Sequence, residues 1–137
     1  MSQDDRDCLA VLIAAIWPGE SAMHDDTAAV YRALRQRGVT ADQIWTLEGS
    51  LSAELVMAFL AAAQKHIADW TRGNVFLYYS GHGAYIPVDA TSPTRANPAM
   101  RLRPGRGQSP DQYLLWSDAL ATLSLPKGLH LTVLPDC

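Results

Sequence analysis

Cysteine is scarce in this chain: Cys8 and Cys137 stand near opposite ends of 137 residues, too few for the disulfide framework of a small secreted domain. A reducing compartment is the simpler expectation. An excess of charge of one sign is also lacking. Eleven Lys plus Arg face fourteen Asp plus Glu, a formal charge of -3, which offers neither nucleic acid nor an anionic membrane a hold through bulk charge. The longest apolar run, residues 8–17, is about half a membrane span, and the first seven residues are acidic where a secretory leader is basic. The reading is a cytoplasmic protein with neither nucleic-acid nor membrane partners. No stretch repeats at a fixed period or is of low complexity. What is present, 48% apolar residues, is enough for one core in one domain over residues 1–137.

Apolar and polar residues fall into alternating segments. Residues 8–16 (CLAVLIAAI) are continuously apolar, which suits a central parallel strand covered on both faces. Asp25 and Asp26 precede a helical pattern with Val30, Ala33 and Leu34 on one face, stopped by Gly38. Residues 43–47 read as a second strand. Ser52 is placed to cap a helix whose face carries Leu55, Phe59, Ala63, Ile67 and Trp70. Residues 75–79 (VFLYY), β-branched and aromatic, form a third strand, residues 117–123 a short helix, and residues 129–134 (LHLTVL) a fourth strand.

Between them, residues 84–112 contain Pro87, Pro93, Pro98 and Pro110 and are expected not to hold regular structure throughout. Four arginines (95, 101, 103, 106) against two aspartates (89, 111) make this segment net positive while the rest of the chain is negative. A loop of such length in a compact domain is usually functional or mobile. Strands alternating with helices give a doubly wound, mostly parallel α/β sheet with helices on both faces. Ligands bind such a sheet beyond the carboxyl ends of its strands.

Two segments lie at those ends. His82, between Gly81 and Gly83 after the third strand, is a lightly crowded imidazole that suits a general base. Cys137, ending the fourth strand, supplies a thiol for such a base to activate, and the glycine amides can donate to an oxyanion. Other candidates have plainer readings. His24-Asp25-Asp26 cannot easily converge on one ion and is read as a helix cap, so no metal site is expected. Cys8 is read as core, and His66 and His130 as ordinary partly buried histidines. Phosphate-loop, nucleophile-elbow and zinc-helix motifs are missing from the sequence.

Tyr78-Tyr79-Ser80-Gly81-His82-Gly83 resembles the YYSGHG signature of the caspase-like cysteine peptidases, metacaspases and their prokaryotic relatives in particular. Leu134-Pro135-Asp136-Cys137 is similar to the start of their second signature, Asp-Cys-Cys-His-Ser-Gly or Asp-Ser-Cys-His-Ser-Gly. The resemblance covers nearly the whole chain and corresponds to the family's large catalytic subunit. It implies a caspase-like sheet, incomplete at its C-terminal side, and a cysteine endopeptidase acting on protein or peptide substrates. His82 would assist the thiolate, and the amides of Gly83 and the nucleophile would hold the oxyanion.

The family's small-subunit portion, whose strands complete the sheet and line the cleft, would be a partner. No cofactor is implied, except calcium by analogy with metacaspases. Caspases that cut after aspartate carry arginine after the first strand, whereas this chain has Glu20 there and Asp136 near the thiol, which suits cleavage after Arg or Lys. The arginine-rich stretch 95–106 is then a candidate self-cleavage site.

One departure leaves two alignments open. In the family the acidic residue lies two positions before the nucleophile, and here Asp136 immediately precedes Cys137. Aligned on the aspartate, the nucleophile is the next residue and this chain is an incomplete peptidase; strand, acid and cysteine then match without a gap, which favours this alignment. Aligned on the cysteine, Cys137 is the nucleophile. The displaced aspartate also keeps open a non-catalytic caspase-like scaffold that binds a partner through the same cleft.

Overall fold

The computed structural model describes residues 7–89, 91 and 95–137. The acidic opening stretch 1–6 and Pro93 lie outside these residues. Strand β1 (Cys8–Ala15) leads to helix α1 (Ala22–Gln36), a 3-10 turn (Ala41–Gln43), β2 (Ile44–Gly49) and α2 (Ala53–Ile67). After β3 (Gly73–Ser80) come three short strands, β4 (His82–Pro87), β5 (Ala96–Arg103) and β6 (Gln112–Leu115), then α3 (Trp116–Thr122) and β7 (Leu129–Asp136).

Four strands form a parallel sheet in the order β2-β1-β3-β7. The mixed α/β expectation and the central place of the first strand both hold, since β1 is inaccessible from Leu9 to Ala15. Continuous apolarity has its cause here: α1 packs on one face of the sheet through Val30, Tyr31 and Leu34, while α2, α3, β5 and β6 cover the other. The chain order turns back between β1 and β3, so the ends of these two strands flank the crevice where such sheets bind ligands.

The segment expected to be irregular departs most from the sequence reading. Residues 84–112 contribute to a second sheet, antiparallel and three-stranded in the order β4-β5-β6. Its prolines do not prevent this: Pro87 ends β4, Pro110 precedes β6, and Pro98, though inside β5, lies before the pairing with β6 begins at Ala99, so each sits at the margin of the ladder. Met100 and Leu102 are fully buried and Arg101 and Arg103 are not, a period-two pattern that marks a half-covered strand. Of the arginines in the proposed self-cleavage stretch, Arg101 and Arg103 are strand residues, while Arg106 lies in the β5–β6 connection.

Smaller corrections follow from packing. Helix α1 is entered through Ser21, with Asp25 inside its first turn rather than at the cap, where an acid still favours the helix dipole. Its inward face includes Met23 and Thr27, and Ala33 is exposed. Helix α2 buries Val56, Leu60, Ala63 and Ile67, whereas Leu55 is 46% exposed. Ser52 caps α2 as expected, accepting from Leu55 N at 3.1 Å.

Cys8 is half-buried because it begins β1 at the rim of the sheet. His66 is exposed, with its ring near Trp45 and Trp70. His130 is exposed because β7 is an edge strand, which also leaves Leu131 and Leu134 partly in solvent. No helix among the described residues is long and apolar enough to cross a membrane.

Candidate functional site

Parallel pairing of β3 with β7 sets Ser80 opposite Asp136, which brings the histidine and cysteine segments to the same end of the sheet. The Gly81 amide donates to the Asp136 carbonyl at 3.3 Å and ties the two strand ends together. Gly81 has to be glycine: a Cβ there would stand 2.5 Å from the Tyr79 hydroxyl and 3.0 Å from the Ala15 methyl. Tyr79, fully buried and edge-on to Trp116, donates its hydroxyl to the His82 carbonyl at 2.7 Å. Burial, and then the nearby Cys137, push this phenol well up, so it stays protonated as that donor.

His82 and Gly83 are consecutive residues of β4 and therefore present opposite faces. Gly83 pairs with the buried Met100, and a Cβ on Gly83 would lie 3.0 Å from Cys137 Sγ. The thiol, itself exposed, thus lies on the same side of β4 as Met100. His82 pairs with Arg101 on the other side, where its ring meets Trp17 at 4.3 Å between centroids. There its Nε2 lies 2.9 Å from Glu20 Oε2. The fold therefore brings His82, Gly83 and Cys137 to one strand end, with no hydrogen bond between imidazole and thiol among the described residues. Burial first, then the Asp136 charge, raise the thiol of Cys137, so it rests protonated.

The other acid, Asp136, is exposed and accepts from the Tyr78 hydroxyl at 2.8 Å. Burial, followed by this bond, pushes the Tyr78 phenol up to about 12. Beside Glu20 opens a cavity of about 1020 Å³ with Trp17, Ser50, Arg103, Arg106 and Gln112 in its walls. Calcium, which the resemblance to metacaspases raised, finds no group of three or more His, Cys, Asp or Glu placed to hold it among the described residues.

Two contributors escaped the sequence reading. Trp17 follows β1 and reads in the sequence only as the end of an apolar run, although an aromatic beside Pro18-Gly19 at a strand end is a visible signal. Arg101 reads in the sequence as one of several loop charges, whereas it lies in β5. Its guanidinium lies 4.7 Å from the Trp17 ring centre, and its carbonyl accepts from Trp17 Nε1 at 3.1 Å. Asp111 holds that guanidinium through Oδ2, 2.8 Å from Nε and 2.5 Å from Nη2, and also accepts from the Gly105 amide at 2.6 Å.

The Gly105 amide, then Arg101, hold the Asp111 carboxyl below its usual range. A carboxyl lowered by folding contributes stability above its unfolded value, about 3.9, and loses that contribution as pH falls through the folded value. Asp111→Asn is accordingly expected to lower the melting temperature at pH 7, with the difference from wild type closing toward pH 3. Thermal unfolding across that range checks it, and a difference independent of pH would contradict it.

Comparison with the models of known protein families finds none that matches this chain, and comparison with curated proteins likewise finds no match.

Proposed function

We propose that this chain is the large-subunit portion of a caspase-like cysteine endopeptidase that cleaves peptide bonds after Arg or Lys. The observation that supports it best is the β3–β7 register, which lands Cys137 against Gly83, the residue next to His82. In this reading, on the alignment that makes Cys137 the nucleophile, His82 takes the proton of the Cys137 thiol, the thiolate attacks the scissile carbonyl, and the Gly83 and Cys137 amides receive the oxyanion; on the alignment that matches Asp136, the residue after Cys137 takes that part and this chain alone is inactive. The leaving amine takes its proton from His82, and water then releases the acyl group.

A thiol raised by its surroundings needs that base, and because Sγ lies on the Gly83 side of β4 while the imidazole lies on the other, the pair is not formed in this arrangement. Asp136 supplies negative charge for a basic side chain, whereas the cavity beside Glu20 carries Arg103 and Arg106 in its walls and disfavours one. The small-subunit portion would add its strands at the β7 edge, where Leu131 and Leu134 are exposed.

A peptidyl acyloxymethyl ketone ending in arginine tests the reading. An adduct mapped to Cys137, formed at a rate that drops about 100-fold or more in His82→Ala, is expected, while iodoacetamide still alkylates the variant. The placement of the thiol away from the imidazole favours a second reading, a non-catalytic domain that binds a peptide partner in the same cleft. Equal labelling of wild type and His82→Ala would favour that reading and overturn the first.

A further inference from the structure

Two contacts converge on the His82 ring and explain its orientation better than a turn between glycines does. Its Nε2 faces a Glu20 oxygen at 2.9 Å, and its face meets Trp17 at 4.3 Å. Trp17 is in turn fixed by the Arg101 carbonyl and guanidinium, and Arg101 by Asp111. The support therefore runs from the β5–β6 connection, across β5, to the end of β1. A carboxylate only accepts hydrogen bonds, so a neutral imidazole in this position must carry its proton on Nε2, leaving Nδ1 as the basic nitrogen.

We infer that Glu20 is a positioning residue for His82, fixing the Nε2–H tautomer so that Nδ1 is the nitrogen that serves the thiol. This assigns Glu20 a role other than holding a basic substrate side chain. The part concerning the thiol rests on the peptidase reading, whereas the tautomer stands on geometry alone. A third group that orients a catalytic histidine is a general device of nucleophilic sites, and the wrong tautomer there can cost about 10⁴ in rate.

The test uses the full chain with ¹⁵N-labelled histidine, observed above the imidazole titration. Wild type is expected to show the Nε2–H pattern for His82, Glu20→Ala a mixture of both tautomers, and Glu20→Gln, which retains an accepting oxygen, a return toward wild type. Glu20 is an exposed residue, so the variants keep the fold. A Nε2–H pattern unchanged in Glu20→Ala would overturn the inference, whether or not the chain proves to be a peptidase.

Cys137 labelling by two peptidyl ketones, one ending in arginine and one in alanine, reads the second half. Glu20→Ala should slow both by about 10-fold or more, because the base is disturbed for every substrate, and Glu20→Gln should recover most of the loss. Slowing confined to the arginine ketone would make Glu20 a specificity residue and overturn the positioning role. Wild type that takes neither ketone would remove Cys137 as the nucleophile, while the tautomer result still decides what Glu20 does to His82.

Discussion

Tyr79→Ala is expected to destabilise the protein by about 3–5 kcal/mol, the range for truncating a fully buried aromatic. Tyr79 joins three parts of the molecule: it lies in β3, its ring meets Trp116 of α3, and its hydroxyl holds the His82 carbonyl at the start of β4. Removing the ring leaves a cavity between the two sheets and releases the strand that carries the candidate base. Tyr79→Phe separates the two effects. It keeps the ring and loses the hydrogen bond, so about 1 kcal/mol is expected. Urea unfolding of the three proteins measures both. A loss below about 1.5 kcal/mol for the alanine variant would mean that the ring fills no essential volume.

Leu60→Ala and Leu55→Ala form the second pair. Both residues belong to α2 and both are leucines in a helical apolar pattern, yet Leu60 is fully buried against the sheet and Leu55 is 46% exposed. The buried truncation should cost about 2–5 kcal/mol, and the exposed one about 0.5 kcal/mol or less. The same unfolding experiment reads both, and equal losses would contradict the orientation of α2 described above.

This pair also shows where sequence reasoning stops. Leu55, Phe59 and Ala63 repeat at a spacing of four, and so do Val56 and Leu60; the helix is apolar over much of its circumference, and periodicity cannot choose between adjacent stripes. The choice belongs to the sheet that receives the helix. The same holds for the second sheet. Met100-Arg101-Leu102-Arg103 alternates as a strand should, but the surrounding prolines and arginines resemble a loop, and only a partner strand on each side of β5 gives that alternation its meaning.

For the candidate site the division is similar. Gly81-His82-Gly83 after a β-branched and aromatic run was legible because the chemistry and its local geometry lie in consecutive residues. Cys137 was legible as the end of a neighbouring strand. Glu20, 62 residues from His82, was visible as an acid after β1 but not as the partner of an imidazole.

The sequence by itself determined the α/β alternation and the central strand β1, because each follows from apolar patterning within short windows; that β7 lies beside β3 belongs to the sheet order. The tertiary structure decided which side of β4 holds the imidazole and which the thiol, what Glu20, Trp17 and Arg101 do there, and how α2 turns. The physical reason is that side-chain direction along β4 alternates with the register of its pairing to β5, and a register is a property of two strands rather than one.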